Sequence, residues 1–127
     1  MLKNHKNKRL LAELKAHKFY PTEDACHVWF SIINDEIFDN KLSPVSFSIY
    51  GLKGIWGYYD SGVVSLNVQY PSKNLFLNIL AHELIHAYQD QQGLSINHGK
   101  SFWGWRKKFF RNGLSLAIRY DGKMVVG

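Results

Sequence analysis

His82-Glu83-Leu84-Ile85-His86 is the stretch of this chain whose residue types and spacing can do chemistry. On a helix, residues four apart rise about 6 Å and turn about 40° past a full revolution. His82 and His86 then project from one face, and both imidazoles reach a single ion at about 2.0–2.1 Å. Glu83 lies about 100° round from His82 and about 60° from His86. Its carboxylate sits beside that ion without ligating it, where it accepts a proton from water activated by the metal. Chance yields the pattern in about one chain of this composition in a hundred, and a helical setting lowers those odds.

A tetrahedral zinc site with one open position needs a third protein ligand. Of the other histidines, His5, His17, His27 and His98, His98 is the best candidate. The chain turns at Gly93 and returns, and Gly99 allows a tight backbone path beside the metal. Asp90 is the alternative ligand. Four residues after His86 on the same side, it is also a candidate to orient a histidine from behind. The expected cofactor is one Zn2+. Eleven residues separate His86 from His98, which fits neither the metzincin spacing nor the gluzincin one.

The elements that must position these residues follow from local signals. Thr22 caps a helix through about Phe38, with Glu23 and Asp24 in its first turn and Ala25, Val28, Trp29, Ile32, Ile33 and Ile37 at helical spacing. Residues 45–49, 55–59 and 63–69 read as strands, with Asp60-Ser61-Gly62 as a hairpin turn. Pro71-Ser72 stops the third strand and caps a helix over about 73–92, ended by Gly93. A further helix is expected at about 99–112, then a short strand at 114–120. This order predicts an α+β domain: an N-terminal helix, a three-stranded antiparallel sheet, the HExxH helix, and a C-terminal helix and short strand. Residues 1–18 form a basic N-terminal segment, with a short helix around Leu10, Leu11 and Leu14, and 19–127 form one domain. On the 73–92 helix, Leu77, Leu80, Leu84 and Ala87 make the core stripe. Leu75 and Ile79 flank the histidines, so the site is expected in a cleft.

The sequence resembles the SprT-like zinc metallopeptidases, which include Spartan. The resemblance rests on His82-Glu83-Leu84-Ile85-His86-Ala87 followed by His98-Gly99 and Phe102, and on Glu36-Ile37-Phe38-Asp39-Asn40-Lys41-Leu42 before the first strand. It covers about residues 22–110. It implies a small zincin-like domain, zinc on His82, His86 and His98, Glu83 as general base, and DNA-linked protein as substrate. The size suits a stand-alone bacterial or phage member. By analogy with zincins, a substrate chain adds along a sheet edge, with residues 63–69 as the expected strand.

Composition sets outer bounds. With 127 residues, 46% hydrophobic, 15% aromatic and 20% charged, the chain is neither disordered nor a simple coiled coil. One cysteine, Cys26, excludes an internal disulfide framework. No apolar stretch is long enough to span a membrane, and no apolar core follows the basic start. The expectation is therefore no membrane partner and a cytoplasmic protein, or host cytoplasm or virion for a phage product. Charge is uneven: residues 1–18 carry six Lys/Arg against one Glu, 19–99 carry three Lys against eight acids, and 100–127 carry seven Lys/Arg against one Asp. Basic ends suit an anionic polymer, and Lys100, Arg106, Lys107, Lys108 and Arg111 are the candidate nucleic-acid contacts. The expected function is zinc-dependent peptide hydrolysis on a protein or peptide substrate. The competing expectation is a non-catalytic zinc-binding structural or nucleic-acid-binding protein, such as a phage particle component. Glu83 speaks against that alternative, because a structural zinc needs no base.

Overall fold

Pro21 and Thr22 start the first helix, α1 (Glu23–Glu36), where the Thr22 hydroxyl accepts from the Ala25 amide at 3.1 Å. The computed structural model describes residues 17–120 and 124–127, with Met124 and Val125 described in their backbone alone. The expected basic helix within 1–18 lies outside the described residues but for His17 and Lys18. Helix α1 ends at Glu36, and Asn34 then clamps the turn. Its side chain donates to the Leu42 carbonyl at 3.1 Å and accepts from the Leu42 amide at 3.0 Å. Asp39 and Asn40 take positive φ here, which short polar side chains tolerate.

Strands β1 (Ser46–Ile49), β2 (Gly57–Asp60) and β3 (Val63–Leu66) form one sheet in the order β1-β3-β2. The β2–β3 hairpin is antiparallel, turned by Ser61 and Gly62, both at positive φ as a tight two-residue hairpin requires. β1 instead runs parallel to β3, so the sheet is mixed rather than antiparallel. Alternation of apolar and polar residues fixes which face a strand shows, not its direction. The hairpin takes one edge of β3, and residues 50–56 carry the chain across so that β1 reaches the other. A second correction follows: β3 is the central strand, with Val64, Ser65 and Leu66 buried. Residues 63–69 are therefore no free edge for a substrate.

Helix α2 (Lys73–Gln91) is capped by the Ser72 hydroxyl, which accepts from the Leu75 amide at 3.1 Å. Ile79 through Ala87 are all buried. The helix is enclosed by the sheet on one side and the chain after residue 98 on the other, so it is not amphipathic in the usual sense. Gly57 permits the close approach of β2: a Cβ there would lie 3.0 Å from both Ile79 Cγ2 and the Ser65 carbonyl oxygen. Tyr70 closes the corner before the helix, giving its hydroxyl proton to the Trp56 carbonyl at 2.7 Å.

The helix expected over 99–112 is two: α3 (Lys100–Trp103) and α4 (Arg106–Arg111). It breaks at Gly104-Trp105, where glycine weakens helix continuity. The strand expected over 114–120 shrinks to β4 (Arg119–Tyr120), which pairs antiparallel with β5 (Met124–Val125). Side chains claim the backbone of the preceding residues. The Ser115 amide donates to Asn78 at 2.8 Å, and the Ala117 amide donates to the Tyr120 hydroxyl at 3.0 Å. No described helix is long and apolar enough to cross a membrane.

Candidate metal centre

His82 and His86 come from the middle of α2, and His98 from the last residues before α3. The Nε2 atoms of His86 and His98 are 3.2 Å apart, and those of His98 and His82 are 3.3 Å apart. These separations are close to the edge of a tetrahedron around an ion with ligands at about 2.0–2.1 Å, which is about 3.3–3.4 Å.

The outer ring nitrogens decide which tautomer is present. His82 Nδ1 lies 2.9 Å from the Ala117 carbonyl oxygen, and His86 Nδ1 lies 2.8 Å from Gln89 Oε1. An oxygen of either kind only accepts, so both Nδ1 atoms carry hydrogen and both Nε2 atoms present lone pairs to the centre. His98 Nε2 lies against both of these lone pairs, so the three ring nitrogens converge on one point that a cation can occupy. Burial pushes the His82 imidazole down to about 3, with His86 and His98 adding to the shift. Burial also lowers His86 and His98. The rings are held neutral, the form that binds metal.

Glu83 is buried with His82, and neither of its carboxylate oxygens has a hydrogen-bond partner. Burial raises its pKa well above the ordinary 4.5. An unpartnered buried carboxyl is costly, and a cation among the three rings reverses that cost. The donor set and this orphaned acid therefore fit a metal ion, and His82, His86 and His98 lie close enough to hold one. Phe102 forms the floor, with its ring centroid 4.8, 5.5 and 4.6 Å from those of His82, His86 and His98.

Asp90 does not back a histidine. Its Oδ2 accepts from the Tyr59 hydroxyl at 2.6 Å. The residue on His86 is Gln89, one position earlier. Gln89 also donates through Nε2 to the Asn97 carbonyl at 3.0 Å and to Ser101 Oγ at 2.8 Å. One side chain thus ties the second histidine to the loop that delivers the third. The signal was present as the i,i+3 spacing from His86. The role of the Ala117 carbonyl leaves no trace in residue identity. Tyr58 bonds the Tyr50 hydroxyl, and Tyr88 packs on Trp105 with centroids 5.1 Å apart.

The basic residues separate into groups. Arg106, Lys107 and Arg111 line one open groove of about 760 Å³ with Asn74, Asn78 and Phe110, and Phe110 is 81% exposed. Lys108 is turned away, paired with Asp39 at 3.0 Å. Lys100 stands exposed at the start of α3. Compared with known proteins, the chain matches no family model, no curated protein and no solved structure.

Proposed function

We propose that the chain is a zinc-dependent peptidase. Two observations support the reading: three imidazoles that converge on one point, and a buried carboxyl with no partner on the residue that follows His82. A structural metal site has no use for such an acid. When bound there, zinc supplies Lewis acidity, polarising a scissile carbonyl and making water acidic enough to attack at neutral pH. The three imidazoles, neutral through burial, hold the ion. Glu83, ionised once a cation lies nearby, takes the proton of the attacking water and delivers it to the leaving amine. Its burial excludes bulk water from that transfer. Tyr120 lies close enough to Glu83 for the carboxylate charge to add to the burial that lifts its phenol to about 12. Its hydroxyl is bonded to Ser115 and Ala117, so it supports the walls rather than the proton path.

The sequence resemblance to SprT-like enzymes extends the proposal to DNA-bound protein as substrate. The groove lined by Arg106, Lys107 and Arg111 with exposed Phe110 supports it, since cations hold phosphates and an aromatic ring stacks on bases. The test of the hydrolytic reading is Glu83→Gln. It retains zinc and fold, and peptide cleavage falls by at least about a hundredfold, the scale of a lost general base. Unchanged cleavage overturns it.

A further inference from the structure

Between α1 and α2 runs a second groove, of about 160 Å³, lined by Trp29, Ile32, Ile33, Leu77 and Leu114 with Glu36 among them. A space of this order holds one benzene-sized apolar group, so it takes a leucine side chain. Ile32 is 42% exposed, and Val28, one turn before it, is 57% exposed. Two such residues beside an apolar groove mark a contact surface rather than scattered exposure. Asp24, Val28, Ile32 and Glu36 are each four apart, so one line along α1 reads acid, apolar, apolar, acid. The helix holds four acids and no Lys or Arg. Among the described residues neither Asp24 nor Glu36 pairs with a cation.

The start of the chain carries the complement. Lys6, Leu10 and Leu14 are also four apart, and Lys18 stands four further on: cation, apolar, apolar, cation. Residues 1–16 hold Lys3, Lys6, Lys8, Arg9 and Lys15 against Glu13 alone. The chain also enters the described structure beside this groove. Phe19 exchanges two main-chain hydrogen bonds with Tyr70, at 2.9 and 2.8 Å, and its ring lies 4.6 Å from that of Phe76. Phe76 precedes Leu77, which lines the groove, and one turn earlier Lys73 places its ammonium 4.5 Å over the Trp29 ring. Leu14 is five residues before Phe19. Five extended residues reach about 17 Å, well beyond the single helical turn of about 6 Å from Lys73 to Leu77.

We propose that the groove between α1 and α2 is the docking site of the chain's own N-terminal segment, with Leu10 and Leu14 seated against Val28, Ile32 and Trp29 and the flanking cations beside Asp24 and Glu36. Anchors at i and i+4 laid in an apolar groove are a common mode of helix recognition. The leucines supply the affinity and the charges set the register, because exposed ion pairs contribute little by themselves. A tether of a few residues raises the effective concentration of the segment at the groove, so a small contact suffices. The cations of the segment are then answered by the acids of α1, and the positive charge left for other partners is that of the groove beside α4. This inference is independent of the chemistry at the metal centre.

The test is paramagnetic broadening in the isotope-labelled full chain, with a nitroxide on Asn7→Cys. Cys26 is fully buried and takes no label. The amide signals of Val28, Ile32 and Leu77 are expected to lose most of their intensity relative to the reduced label. Replacing both anchors, Leu10→Ser with Leu14→Ser, keeps the tether and should restore those signals. Ile32→Glu should restore the signals of Val28 and Leu77. Val28→Glu, at the more exposed position, gives the same result if the Ile32 variant melts early. Full intensity in the labelled chain overturns the proposal. Broadening that persists in the serine variant reports only the nearness of the tether and also overturns it. The occupant is identified by mixing spin-labelled chain without isotope into isotope-labelled chain without nitroxide. Unchanged signals in that mixture support docking within one chain, whereas broadening there assigns the groove to a second copy and overturns it.

Discussion

Gln89 Oε1 accepts from His86 Nδ1 at 2.8 Å, while the amide nitrogen of the same side chain bonds the Asn97 carbonyl at 3.0 Å, next to His98. Two histidines that are distant in sequence are thus set by one residue that touches no ion. The carbonyl of Asn97 only accepts, which fixes the amide orientation without appeal to hydrogens.

Removing Gln89 should therefore loosen two ligands at once. Gln89→Ala is expected to weaken zinc binding by about 10–100-fold, measured by competition with a chromophoric chelator. Gln89→Glu keeps an acceptor for His86 but loses both donors. Its affinity should fall between wild type and alanine. An alanine variant with wild-type affinity would remove Gln89 from the design of the centre.

His98 supplies the third ring nitrogen at 3.2 and 3.3 Å from the other two. His98→Ala should drop bound zinc well below one equivalent after dialysis, read by elemental analysis. A variant that retains one equivalent would place the third ligand elsewhere.

The metal-free protein should show an inverted pH dependence at Glu83. The folded carboxyl titrates well above 4.5, so between 4.5 and that raised value the folded state keeps a proton the unfolded chain has lost. Stability therefore falls as pH rises through this window. His82 acts in the opposite sense. Its folded value of about 3 lies below the ordinary 6.5, so its contribution is whole above 6.5 and is lost as pH falls toward 3. In the presence of chelator, Glu83→Gln should melt higher than wild type at about pH 7, with the advantage gone by about pH 4. Equal melting temperatures at neutral pH would mean that the carboxyl is not strained by burial.

Arg106, Lys107 and Arg111 share one groove, whereas Lys108 is paired with Asp39. Neutralising the first three together should weaken binding to single- and double-stranded DNA and flatten its dependence on salt between about 50 and 200 mM. Lys108→Ala alone should change it little. Undetectable binding by the wild type at the low-salt end would sink the DNA-linked reading and leave the zinc site untouched.

The clustering of the three histidines was legible because helical periodicity is a local rule. His82 and His86 are brought together by spacing alone, and His98 by a short loop with glycines at the turns. Caps such as Thr22 and Ser72 are also local, and the structure has both. What was not legible depends on partners remote in sequence. The direction of β1 is set by which edge of β3 the hairpin leaves free, and alternation carries no such information. The segment at 114–120 has strand-like residues, but Asn78 and Tyr120 claim its backbone. Asp90 and Gln89 are adjacent, and only the position of Tyr59 shows which of them faces a histidine.

The two histidines of α2 are oriented by different kinds of partner: His82 by a main-chain carbonyl at Ala117, His86 by a side chain at Gln89. The difference governs how the centre can drift under mutation. A side-chain partner is encoded by one codon, so a single base change can retune or release His86. A main-chain partner is indifferent to the residue that bears it, and position 117 can vary in identity so long as the chain follows the same path. His82 is thus buffered against point substitution and exposed to insertion or deletion between Gly113 and Tyr120. His86 has the reverse vulnerability. Lineages that gain or lose metal affinity by gradual change should do so through the Gln89 side, while those that lose it abruptly should carry a change of length near Ala117.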